Sequence, residues 1–305
     1  METEHGDAAA EGRTAPATES FPAHRDLLFT VAYEMLGSAA DAEDVVQETW
    51  LRWSAVELSA VREPRACLVR ITTRQALNRM RTLGRRKESY VGSWLPEPLL
   101  TAPDVAEDVE PADSVSMAML LVLETLTPAE RAVFVLREVF EVGYEEIAEA
   151  VGRSRAAVRQ IAHRARSHVA ARRPRGPVSP ARTRGALDAF RKAVETGELG
   201  ALLGALAPDV VYVGDGGGVR RAAPRPIAGA DKVARLPAAG AVRMAAAMTL
   251  HAVEVNGRPA LVFRRDGEVD TVLVLRVGGG LITGLYAVRN PGKLSHMERE
   301  TVLRR

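Results

Sequence analysis

The chain has 305 residues, with 41 Lys and Arg against 39 Asp and Glu and a single cysteine. That length accommodates two or three domains of about 100 to 150 residues, and lone Cys67 excludes an internal disulfide and a multi-cysteine zinc site. No run approaches the roughly 20 apolar residues of a membrane span, and residues 1–20 lack the basic start and apolar centre of a signal peptide. The composition therefore reads as a cytoplasmic protein with no membrane partner, no metal and no cofactor, preceded by a disordered leader over 1–20.

The net charge of +2 conceals a segregation. Residues 62–87 carry nine basic side chains against Glu63, residues 101–150 carry twelve acidic ones against Arg131 and Arg137, and residues 152–175 carry eight arginines and no acid. Two basic blocks around an acidic spacer predict two separate phosphate-contacting modules, each sensitive to salt.

From Phe21 to about Arg86 the pattern is helical. Leu27, Leu28, Val31 and Met35 form one face, and Gly37 and Ser38 break to Asp41 as the expected N-cap. In DAEDVVQETWLRW (41–53) the inward residues are Val45, Val46, Thr49 and Trp53, which leaves Asp41, Glu43, Asp44, Gln47 and Glu48 outside. Pro64 opens a third helix with Leu68, Ile71, Ala76 and Met80 inward and Arg70, Arg74, Asn78, Arg81 and Arg85 outward; Cys67 is read as a small buried side chain. Beyond it, YVGSWLPEPL (90–99) has two prolines around Glu97 and is extended. Trp94 and Leu95 in such a segment need cover, and a clip onto the adjacent helices is one way to provide it.

The densest signal is EEIAEAVGRSRAAVRQIAHRARSHVAARR (145–173). A first short helix is read as burying Ile147, Ala148 and Val151 and ending at left-handed Gly152, with Ser154 capping a second. In the second helix Val158, Ile161, Ala162, Ala165 and Val169 make one seam. Arg155, Arg159 and Arg166 line its flank, and Gln160, His163 and Arg164 point away, which supplies donors for base edges and phosphates. This is helix-turn-helix spacing.

DAEDVVQETW with the arginine-rich helix after it, and LTPAERAVFVLREVFEVGYEEIAEAVGRSRAAVRQIAHRAR (126–166), resemble regions 2 and 4 of the extracytoplasmic-function sigma factors of the sigma-70 family. The resemblance implies a multidomain chain: region 2 as a helical bundle over 21–89, a linker over 90–113, region 4 over 114–173 and a short linker over 174–182. It implies promoter DNA and core RNA polymerase, through its clamp coiled coil and flap, as partners. Asp41, Glu43, Asp44, Gln47 and Glu48 would dock on the polymerase. Arg74, Asn78, Arg79, Arg81, Arg85 and Arg86 would read the minus-10 element. Arg153, Ser154, Arg155, Ala157, Val158, Arg159, Gln160, His163 and Arg164 would read the minus-35 element.

Residues 183–290 change character. A helical stretch, ALDAFRKAVETGELGALLGAL, gives way to DVVYVGDGGGVRR and four strand-like runs, with Asn256-Gly257 and Asp266-Gly267 as hairpin turns. By element order this resembles a SnoaL-like α+β cone, taken over 183–294 with a tail over 295–305. Trp94, Leu95, Pro96, Glu97 and Pro98, then Asp215, Gly216, Gly217, Gly218 and Arg220, then Asn290, Pro291, Lys293 and Leu294 resemble the signature islands of the sigma-factor subgroup with a fused SnoaL-like domain. There the cone contacts the linker and tunes activity in place of a separate anti-sigma protein. This chain departs from the pattern at Val219 and Gly292, where the subgroup has lysine and aspartate, and Arg220 is the candidate substitute for the lysine toward Glu97. Two other readings stay open: a stand-alone helix-turn-helix regulator, and an enzymatic or ligand-sensing cone with Asp215 as a base beside Tyr212 and Tyr286.

Overall fold

A computed structural model describes residues 8–57, 59, 61–102, 116–172, 180–236 and 248–304, with side chains for all of these except 8–19, 85–88 and 180. The chain divides into two compact units, one of Met1–Arg85, Leu123–Ala171 and Val302–Arg305 and the other of Arg86–Val122 and Arg172–Thr301. The architecture is two helical modules followed by an α+β sheet domain.

The first unit is helical. Helix α1 is Ala8–Leu36, and residues 1–7 of the expected leader lie outside the described residues. Leu28, Val31 and Met35 are sealed from solvent, and Phe21 meets Trp50 edge to face at 5.1 Å. Helix α2, Ala39–Trp53, starts one turn before the expected N-cap. Ser38, in extended backbone, accepts the Asp41 amide at 3.2 Å, because a cap must sit just outside the first turn whose N–H groups it satisfies. Val45, Val46, Thr49 and Trp53 face inward as read.

Helix α3, Pro64–Glu88, buries Leu68 and Ala76, while Ile71, Met80 and Cys67 are only half-buried. Its inward face is more polar than the periodicity indicated. Thr72 and Thr73 are fully buried, with Thr72 3.2 Å from the Thr49 hydroxyl and Thr73 donating to the Val69 carbonyl at 2.8 Å, so neither leaves an unmet polar group.

In the same unit, α5 (Pro128–Phe134) opens with a reciprocal capping box. The Glu130 amide donates to the Thr127 hydroxyl, and the Thr127 amide donates back to Glu130 Oε2 at 3.1 Å. The helix widens into a π turn over Val135–Val139 before α6, Tyr144–Val151. Gly152 ends α6 at φ 67°, a conformation that costs glycine nothing. The buried residues of α6 are Ile147 and Ala150; Ala148 and Val151 are half-exposed, since a two-turn helix packed from one side buries the i, i+3 pair. Helix α7, Arg155–Arg172, buries Val158, Ile161, Ala162, Ala165 and Val169, and its first turn is capped by Ser154, whose hydroxyl accepts the Ala157 amide at 3.3 Å.

The second unit contains α4 (Met117–Leu123) for most of its length, α8 (Pro180–Thr196), α9 (Leu199–Ala205) and six strands: β1 Leu206–Asp215, β2 Ile227–Ala228, β3 Met248–Val255, β4 Arg258–Arg265, β5 Glu268–Gly278 and β6 Leu281–Val288. The sheet order is β2-β1-β6-β5-β4-β3, with β1 and β6 parallel and the other neighbours antiparallel. Asn256-Gly257 and Asp266-Gly267 have both φ values positive, as tight hairpin turns require; Gly279-Gly280 makes a third.

Alternation along the strands creates two apolar faces. Leu261, Leu273, Leu275, Leu285 and Ala287 pack on Leu187, Phe190 and Leu202 of the helices. Val262, Val272, Val274, Tyr286 and Val288 pack on Leu95, Met117, Leu294 and Met297. The 94–101 segment therefore covers the sheet, not the adjacent helices, because the sheet's second face is the larger apolar surface left without a layer. The same segment runs beside edge strand β3, where the Thr101 amide donates to the Glu254 carbonyl at 3.0 Å and the Asn256 amide donates to the Leu99 carbonyl at 2.9 Å. Of the expected 174–182 linker, residues 174–179 lie outside the described residues, and Pro180 is the first residue of α8.

Candidate nucleic-acid interface and linker dock

Helix α7 separates its polar residues into two groups. Toward α6, Arg155 pairs with Glu145, Arg166 pairs with Glu138 at 3.0 Å, and the guanidinium of Arg159 lies over the Tyr144 ring at 5.6 Å. The Arg166 hydrogen bond holds the Tyr144 phenol below its ordinary range, despite some desolvation, with Arg137 adding to the effect. On the outward side Arg153, Ser154, Gln160, His163 and Arg164 are exposed. Arg164 is 4.0 Å from Glu130, and Arg153, Ala157, Gln160 and Arg164 line a shallow cleft with Thr127 and Ala129 at the start of α5. Val158, counted among the DNA-reading residues, is fully buried in the seam and presents nothing to a partner. An apolar residue at a seam position cannot also face a groove, and the periodicity already placed it there.

The acidic face of α2 and the basic face of α3 meet. Arg79 donates from Nε to Asp41 Oδ1 at 2.7 Å and from Nη2 to Asp44 Oδ2 at 2.6 Å, so one expected promoter-reading residue is held by two expected docking residues. Glu43 pairs with Arg25 at 2.6 Å, and Gln47 and Glu48 are exposed. Asn78 accepts a hydrogen bond from Arg81 at 3.0 Å, and the side chains of Arg85 and Arg86 lie outside the described residues. On the other edge of α3, Arg70 pairs with Glu149 of α6 at 2.9 Å, and Arg74 donates to the Glu149 carbonyl at 2.8 Å. Arg131 of α5 is buried, donates to the Glu34 carbonyl of α1 at 2.9 Å and pairs with Glu124.

In the second unit the three sequence islands converge on one carboxylate. Asp215, at the end of β1, is completely buried. Its Oδ1 accepts the Tyr90 hydroxyl at 2.6 Å and the Gly217 amide at 3.0 Å; its Oδ2 accepts the Leu95 amide at 2.9 Å and Lys293 Nζ at 2.8 Å. Lys293 also donates to the Leu95 carbonyl at 2.6 Å, and its charge faces the rings of Trp94 at 4.2 Å and Tyr90 at 4.9 Å. Asn290 donates to the Tyr90 hydroxyl at 2.8 Å and accepts the Gly292 amide at 3.1 Å, which fixes the Asn-Pro-Gly-Lys turn. Burial raises the Tyr90 phenol above its ordinary value, and the hydrogen bond to Asp215 adds to the rise.

The glycines belong to the geometry of this node. A Cβ on Gly216 would lie 2.0 Å from the Arg220 carbonyl oxygen, and one on Gly217 would lie 2.3 Å from Asn290 Nδ2. Pro96, Glu97, Pro98 and Leu99 are buried beside the node. Arg220 does not stand in for the missing lysine: its side chain is exposed and meets no carboxylate among the described residues, and Lys293 supplies the cation of the node. Tyr90 escaped the sequence reading, and its position four residues before Trp94 was the sole cue.

Of the three residues cast as a catalytic set, Tyr212 is set apart from the other two. Tyr212 packs with the helix-side cluster, while Tyr286 belongs to the opposite face, where Asp215 also points. A carboxylate saturated by four donors is not a poised base. Among the described residues no three His, Cys, Asp or Glu side chains gather as a metal site, and no helix is long and apolar enough to cross a membrane.

The chain matches the family "Sigma-70 region 2" over residues 21–86 and "Sigma-70, region 4" over residues 116–169. It is 40% identical over 220 residues to the ECF RNA polymerase sigma factor SigJ of Mycobacterium tuberculosis, covering 70% of each chain. It is 32% identical over 288 residues to the probable ECF RNA polymerase sigma factor SigI of the same species, covering 93% of this chain and 97% of that one. The crystal structure of the M. tuberculosis extracytoplasmic function sigma factor SigJ superposes with a TM-score of 0.73 at 31% identity, over 94% of this chain and 100% of the other. With both sigma regions present in order and relatives matched across nearly the whole length, the chain belongs to the extracytoplasmic-function sigma factors, the promoter-directing subunits of RNA polymerase.

Proposed function

We propose that this sigma factor is tuned in cis by its sheet domain, through the node at which Asp215 and Lys293 hold the linker between regions 2 and 4. The observation that carries this reading is the pair of hydrogen bonds that clamp one linker residue, Leu95, by its amide to Asp215 and by its carbonyl to Lys293. Holding Leu95 at both backbone groups supports the reading that its release changes the separations open to the two DNA-reading modules.

Within this reading Arg153, Ser154 and the outward residues of α7 as far as Arg164 address the minus-35 element, and Arg74, Asn78, Arg79 and Arg81 of α3 address the minus-10 element. The acidic face of α2, with Asp41, Glu43, Asp44, Gln47 and Glu48, docks on the polymerase clamp coiled coil, and region 4 meets the flap. The chain works where core polymerase works, in the cytoplasm, and supplies no chemistry of its own. Its regulation needs no separate anti-sigma protein.

The test is run-off transcription with purified core polymerase and a promoter library, comparing the full chain with versions ending near Arg182 and near Asn290 and with Asp215→Asn. Output that changes among these versions supports cis control and gives its sign. Identical output from all four would remove it.

A further inference from the structure

We infer that the loop 216–226 of the sheet domain is a third phosphate-contacting surface, which takes the backbone of duplex DNA. Residues 216–230 contain Arg220, Arg221 and Arg225 and no acid. All three side chains are exposed, and none meets a carboxylate among the described residues. This differs from α7, where Arg155 and Arg166 are neutralised by acids of the same unit.

The loop is preformed. The Val219 and Arg220 amides both donate to the Gly216 carbonyl, at 3.0 and 2.9 Å, closing a tight turn on top of buried Asp215. Its descending limb is pinned by Arg289, which donates to the Arg221 carbonyl at 2.6 Å while holding Asp270 at 3.1 Å. Pro224 and Pro226 bracket Arg225 and restrict its backbone. With the backbone already fixed, only side-chain freedom is lost on binding, and guanidinium geometry matches a phosphate's paired oxygens.

Loop chemistry selects the partner. The segment offers neither a helix or ribbon for the major groove nor an Asn or Gln for base edges, so it suits backbone phosphates rather than sequence readout. Contacts this few are weak alone, but they count once region 4 has brought the duplex to the same chain.

The experiment uses the full chain bound to core polymerase and a dye-labelled promoter duplex, with anisotropy read over a series of salt concentrations. R220A/R221A/R225A is expected to weaken binding to cognate and scrambled duplexes alike and to make the plot of log affinity against log salt shallower by about 2 to 3. R220K/R221K/R225K is expected to retain the parent slope. An unchanged slope in the alanine variant overturns the inference, as does a loss confined to one promoter sequence. Impaired binding to core polymerase without DNA also overturns it, by assigning the loop to an acidic face of the enzyme.

Discussion

Lys293 Nζ lies 2.8 Å from Asp215 Oδ2, and both side chains are out of water. Removing one member of a buried pair strands the other's charge, at a cost of about 3–5 kcal/mol. Asp215 would keep three neutral donors, so the low end of that range applies. Lys293→Met should loosen the linker and move Trp94 toward water, seen as a red shift of tryptophan emission. The shift should be absent when Trp94→Phe is added, which separates Trp94 from Trp50 and Trp53.

Gly216→Ala tests the turn above the node. Its Cβ would collide with backbone at 2.0 Å, which no side-chain rotation relieves, so overpacking should cost about 1–3 kcal/mol or more. Gly185→Ala, in α8 with open space around it, should instead stabilise by about 0.5–1 kcal/mol. Thermal denaturation of the two variants should therefore move in opposite directions.

On α7 the division of arginines predicts a division of effects. Arg164→Ala should lower promoter affinity by about 1–3 kcal/mol if it meets a base edge, with little loss on scrambled DNA. Arg155→Ala, whose guanidinium is already engaged by Glu145, should cost less. Electrophoretic mobility shifts of the holoenzyme on both duplexes distinguish the two; an equal loss for Arg164→Ala on both would make its contact a phosphate contact.

Acid sensitivity should trace to Asp270. Burial pushes this carboxyl up, but the Thr271 hydroxyl and the guanidiniums of Arg289 and Arg265 outweigh it and hold it below the ordinary range. A folded value below the unfolded one means stability that is complete above the usual Asp value of about 4 and lost as pH falls through the folded value. Arg289→Gln should raise the pH at which near-ultraviolet circular dichroism is lost. No change in that midpoint would show that another carboxylate governs acid unfolding.

What the sequence revealed depended on local pattern. The seam of α7, from Val158 to Val169, was legible because a 3.6-residue repeat reports burial directly, and β3 to β6 were legible as apolar runs between turn signals. Ser38 was misjudged in favour of Asp41 since both are good caps and only the backbone distinguishes them. The buried threonines of α3 were hidden because a hydroxyl that bonds its own helix carbonyl is apolar in effect but polar by name. The islands at 94, 215 and 290 were visible as motifs. Their convergence on one carboxylate, with Tyr90 completing the set, is a long-range pairing that no local pattern encodes.

The clamp on Leu95 joins residues 198 positions apart in the chain. At about 5–20 residues per second, a ribosome needs roughly 10 to 40 seconds to make Lys293 after Leu95. During that interval regions 2 and 4 emerge and fold while the linker between them still lacks its partner. If the sheet domain controls the chain in cis as proposed, each newly made molecule passes through an age at which its promoter-reading parts exist and their restraint does not, and the speed of translation sets how long that age lasts.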